Sequence, residues 1–147
     1  PLHVNLRVGT VMSLFNTITG RVFAAYLPEK MVRTMLEDEH RRVVGGTSGS
    51  YDSPEVQQLL AEIRATGMGR GLSMPQPGVN TLCAPVFDAA GHIALVITMI
   101  GPHGVFDAAI DSPAGRMLRE HAANVSRRLG HVPLETSKLN NIESIDG

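Results

Sequence analysis

Apolar residues recur along the chain with two different periods. Val4, Leu6 and Val8 alternate with polar neighbours, a two-residue period that predicts a half-buried strand. From Asn16 the period lengthens, and Ile18, Val22, Phe23 and Tyr26 predict a helix. It ends at Leu27, because a residue before proline is steered away from helical backbone. Pro28 suits the first turn of a second, short helix carrying Met31, Val32, Met35 and Leu36. "VVGGTSGSYDS" reads as a surface loop. Ser53-Pro54 is an N-cap followed by proline at the first helical position. The helix it opens presents Val56, Leu59, Leu60 and Ile63 and stops at Gly67. A short strand or arm spans Met68 to Met74. Two apolar runs, 79–87 and 92–100, flank "DAAG" and predict an antiparallel hairpin. Ser112 and Pro113 open the last helix, with Ala114, Met117, Leu118, Ala122, Val125 and Leu129 as its stripe. Arg127 and Arg128 sit where the helix dipole favours cations, and Gly130 closes it. The tail "HVPLETSKLNNIESIDG" has weak periodicity and is expected to fray. The order β-α-α-α-β-β-β-α predicts an α+β domain with helices layered on one sheet.

Composition narrows the function. With 147 residues, 43% of them hydrophobic, the chain suits one domain with a sizeable core. Thirteen basic and 14 acidic side chains give no broad cationic field for nucleic acid or an anionic membrane. Aromatics are 4% and tryptophan is absent, which argues against stacking platforms for single strands. One cysteine excludes an internal disulfide and suits a reducing cytoplasm. No apolar run reaches the roughly 18 residues of a membrane span. A chain that starts "PLHVNLRVGT", nearly inside a strand, reads as a fragment of something longer.

Candidate chemistry is sparse. The six histidines are scattered and form no metal-ligand spacing with Cys83, so no metal or cofactor is expected. Cys83 lies in an apolar strand without a neighbouring base, where a free thiol behaves as a small hydrophobe rather than a nucleophile. "GGTSGS" lacks the lysine ending of a phosphate loop and reads as a connection. In "FNTITG", Asn16 or Thr17 caps the following helix, and the free N–H groups there also suit an anion. The hairpin raises a parallel question. Thr81, Cys83 and Pro85 share one strand face, and Val96, Thr98 and Ile100 share one on its partner. Their polar groups either bond nearby backbone or line a semi-polar cavity for a ligand.

Longer stretches bear a resemblance. "LRVGTVMSLFNTITGRVFAAYLPEK", "IRATGMGRG", "PGVNTLCAPVFDAAGHIALVITMIGP" and "LREHAANVSRRLG" closely resemble the C-terminal effector-binding domain of the IclR family of bacterial transcriptional regulators, over about residues 6 to 130. The resemblance implies a GAF-like or profilin-like fold, a curved antiparallel sheet flanked by helices. Residues 1–130 would form the effector-binding domain and 131–147 a C-terminal tail. The helix and hairpin that open the family's domain, and its winged helix-turn-helix, are expected to lie outside this chain. The effector pocket carries over to Asn16, Thr17, Ile18 and Thr19 at the helix start, Met68 in the arm, and Thr81, Cys83, Thr98 and Ile100 on the hairpin. The family's acidic run is replaced by "RGLSMPQ", so Leu72 and Met74 would form an apolar wall. The family's lysine after the helix-start glycine is Arg21 here, and its second hairpin serine is Ile100. These departures favour a larger or more apolar effector.

The resemblance implies a cytoplasmic, non-enzymatic sensor of an organic acid or aromatic catabolite. It would act as a homodimer or tetramer and reach DNA only through its N-terminal domain. A small enzyme using Cys83 or a histidine in the same cavity is the alternative, and a purely structural oligomerisation domain is a third reading.

Overall fold

The computed structural model describes residues 7–42, 49–74 and 76–133. Its elements are helices α1 (Ile18–Tyr26), α2 (Glu29–Arg42) and α3 (Pro54–Thr66), strands β1 (Gly69–Gly71), β2 (Val79–Phe87) and β3 (Ile93–Pro102), and helix α4 (Pro113–Arg128). The strands form one antiparallel sheet in the order β1-β2-β3. This is an α+β fold, as the periodicity predicts.

Local chemistry sets most boundaries. The Thr17 hydroxyl accepts from the Gly20 amide at the start of α1, and the Leu27 amide closes the helix on Phe23. Ser53 and Ser112 cap α3 and α4, each with proline next. Gly67 ends α3 in the left-handed conformation, φ 71°.

Several expectations need correction. Pro28 precedes α2 instead of entering its first turn, because its carbonyl accepts from the amides of Met31 and Val32. That helix runs for 14 residues and is not short, extending through the polar stretch "EDEHRR". It buries only Val32 and Leu36, while Met31 and Met35 are exposed. Val4 and Leu6 of the expected first strand lie outside the described residues. Val8 is fully exposed in a turn closed by the Thr10 amide on the Arg7 carbonyl. Strand β1 is shorter than the arm 68–74, because the chain turns at Ser73, whose φ is 52°. The α4 stripe holds in part, since Ala114 and Val125 pack against the core beside Leu118 and Ala122. Gly115, Leu118, Ala122 and Ser126 are buried, whereas Met117 and Leu129 are exposed.

Strand β2 is central, and every residue from Val79 to Val86 is buried. Helix α1 packs on one face, in a core with Ile18, Val22, Leu60, Ile63 and Cys83. Helix α4 covers the other, where Leu118 and Ala122 meet Leu82, Ala84 and Val86. Ser126 joins the two layers, accepting from the Phe87 amide at 3.0 Å and donating to the Ala122 carbonyl at 2.9 Å. Arg33 ties α2 to the lead-in of α3 through a two-pronged contact with Asp52 and stacks over Tyr51.

Candidate functional site

Alternation along β2 aims Cys83 at α1, and the antiparallel register places Thr98 of β3 directly beside it. Thr19, in the first turn of α1, completes the group. Its hydroxyl lies 2.8 Å from the Thr98 hydroxyl and 3.7 Å from the Cys83 sulfur, and the Thr98 hydroxyl lies 3.3 Å from that sulfur. Three polar side chains from three elements therefore satisfy one another, as buried polar groups must.

Burial pushes the Cys83 thiol above its ordinary pKa, and the bonds from Thr98 and Thr19 offset this only in part. The thiol is held neutral, the opposite of what a nucleophile requires. Among the described residues, no three His, Cys, Asp or Glu side chains gather to hold a metal ion.

The remaining expected site residues divide into two groups. Thr81 is buried, and its hydroxyl donates to the Met74 carbonyl at 2.7 Å, tying the arm to β2. This matches the reading in which each threonine bonds nearby backbone. Ile100 sits opposite Thr81 in the register, half-buried on β3. Asn16 is exposed, and Thr17 is engaged in capping, accepting from Gly20 and donating to the Ser13 carbonyl at 2.8 Å. Met74 is partly buried against the α1-side core. Ile18, Met68 and Leu72 instead border a 470 Å³ cavity with Arg21, Leu59, Ile63 and Arg70. Helix α1 and strand β1 touch closely beside this cavity. A Cβ at Gly71 would lie 2.6 Å from Ile18, and one at Gly69 would lie 2.6 Å from Val22.

Two residues escape sequence reasoning. Asn80 is buried, donates to the Phe106 carbonyl at 3.0 Å, accepts from the Ser73 amide at 3.3 Å and meets His103 Nδ1 at 3.1 Å. A polar residue inside an apolar run is its only signal. Glu39 of α2 accepts from the Ser13 hydroxyl at 2.6 Å and the Leu14 amide at 3.1 Å, clamping the segment that leads into α1. Nothing in the spacing marks that contact.

Residues 1–127 match the family profile described as bacterial transcriptional regulator IclR C-terminal. The chain is 27% identical over 127 residues to the HTH-type transcriptional repressor AllR of Klebsiella pneumoniae, covering 86% of this chain and 46% of that protein. It resembles the crystal structure of Pseudomonas aeruginosa HmgR with a TM-score of 0.73 and 37% identity, over 86% of this chain and 49% of that one. The C-terminal domain of Escherichia coli transcriptional regulator KdgR matches with a TM-score of 0.63 and 25% identity, over 80% of this chain and 71% of that one. The chain thus spans about half the length of AllR and HmgR. Among the described residues no helix is long and apolar enough to cross a membrane.

Proposed function

The chain belongs to the IclR family of bacterial transcriptional regulators, as its C-terminal domain, and from that premise we propose that it senses a small organic effector between the start of α1 and the α1-facing surface of β2 and β3. The observation that carries this reading is the Thr19–Cys83–Thr98 cluster. It places two hydroxyl groups at a half-buried helix start, where first-turn N–H groups lack intrahelical partners and favour an anionic head group. Ile100 and Met74 supply apolar surface nearby, which suits an organic acid with an apolar or aromatic body.

Effector binding would favour one dimer or tetramer arrangement of the full regulator and so change its DNA affinity. Coupling of this kind is typically about 1–3 kcal/mol, or roughly fivefold to 150-fold in affinity. DNA contact belongs to a domain outside this chain, in keeping with the net charge of −1 here. An enzyme built on Cys83 gains no support from a thiol held neutral by burial.

The test is calorimetric titration of the full regulator, wild type and Thr98→Val, with organic and aromatic acids that shift its melting temperature. Loss of about tenfold or more in affinity with an intact fold is the expected result. Equal affinities would refute the placement. No effector-dependent change in operator binding would refute the regulatory role.

A further inference from the structure

We infer that the cavity beside β1 is a second ligand site, separate from the proposed effector site, and that it takes an amphipathic monocarboxylate. Its 470 Å³ falls within the roughly 300–1,000 Å³ typical of small-molecule clefts. The wall is mainly apolar: Ile18, Leu59, Ile63, Met68, Leu72 and Ile110 all border it. Ile18, Ile63 and Met68 are buried, whereas Leu72 is 50% exposed at the rim. An aliphatic chain or single ring would cover that rim.

The polar lining defines the head group. Arg21 and Arg70 both border the cavity, and no carboxylate among the described residues lies within ion-pair distance of either. Arg21 is half-buried and anchored, its Nε donating to the Phe15 carbonyl at 2.7 Å. That bond fixes the guanidinium and leaves its terminal nitrogens to a ligand. Burial lowers the Arg21 pKa, so an arriving anion would offset a desolvation cost that the protein already carries. Glu62 borders the same cavity. Two cations against one carboxylate favour a single negative charge and disfavour a diphosphate or tricarboxylate. Thr66 is not available to the ligand as a donor, because its hydroxyl already serves the Glu62 and Met68 carbonyls at 2.9 and 3.0 Å.

The full regulator would be titrated with octanoate and benzoate, and with octanamide and benzamide as neutral counterparts of nearly the same shape. At least one carboxylate should bind, and its amide should bind at least about tenfold more weakly, the loss expected when a charged hydrogen bond is removed. Arg70→Gln alters an exposed side chain and should leave the fold intact while weakening carboxylate binding by a similar factor. Thr98→Val should leave this binding unchanged, which separates it from the effector site. The inference fails if neither carboxylate binds, if the amides bind as tightly, or if Arg70→Gln has no effect. It also fails if Thr98→Val abolishes the binding that Arg70→Gln spares.

Discussion

The Thr19 hydroxyl meets the Thr98 hydroxyl at 2.8 Å, across 79 positions of sequence and from helix α1 to strand β3. The contact explains why a strand pair built for burial carries small polar groups. Each hydroxyl can donate one bond and accept others, and Cys83 closes the triangle. A ligand at the proposed site would exchange one set of hydrogen bonds for another, so its binding would not strand a buried polar group.

A double-mutant cycle tests that contact. Thr98→Val should cost about 1 kcal/mol in urea unfolding, because it leaves the Thr19 hydroxyl short of a partner. Thr19→Val should cost about as much. The double variant should lose less than the sum, by about 0.5 kcal/mol or more, since it removes both partners together. Strict additivity would show that the two hydroxyls do not interact.

Cys83 should resist alkylation in the native state and react at the ordinary thiol rate once unfolded. Its stability effect has a defined sign. The folded pKa lies above the unfolded one, so the native state holds the proton more tightly. Stability should therefore fall as pH rises above about 8.5, the ordinary thiol value. Unfolding curves at pH 7 and pH 10 for wild type and Cys83→Ala would show it. The pH-dependent loss should be smaller in the variant.

Gly71→Ala should destabilise the domain by about 1–3 kcal/mol, the usual cost of overpacking. The new Cβ would fall 2.6 Å from Ile18 Cγ1 and 2.9 Å from its Cδ1. Ile18→Ala should cost less in the Gly71→Ala background than the roughly 2–5 kcal/mol expected of a buried isoleucine on its own. Gly104→Ala meets nothing within 4 Å and should be close to neutral. Thermal melts of the four proteins decide the matter.

Removing a helix cap should cost about 1 kcal/mol at either Ser53 or Ser112. Ser112→Ala should be the costlier of the two. Ser112 is buried, and its hydroxyl also donates to the Asp107 carbonyl at 3.1 Å while accepting from Gly115. Chemical denaturation of both alanine variants measures the difference.

What the sequence made legible follows the range of the interactions involved. Ser53-Pro54, Ser112-Pro113, Gly67 and the hairpin around "DAAG" act over a few residues, and the helices and strands they delimit form as expected. The α4 stripe is legible at Leu118 and Ala122 but not at Gly115 and Ser126, which serve close approach and hydrogen bonding instead of hydrophobicity. The arrangement of the candidate site residues is not encoded locally. Whether Thr81 faces a ligand or the Met74 carbonyl depends on where the arm folds, which no local pattern encodes. That Met68 and Leu72 border a cavity that Thr98 does not line likewise depends on tertiary packing that no local pattern encodes.

The seating of α1 against β1 limits which positions of the arm can vary. Positions 69 and 71 are closed to any side chain while Ile18 and Val22 rest on them. Innovation on the arm is confined to the positions between and beyond them: Arg70 and Leu72, which border the outer cavity, and Met74, which packs toward the α1-side core. Variation at Arg70 and Leu72 would therefore reshape the outer cavity, and variation at Met74 the core side.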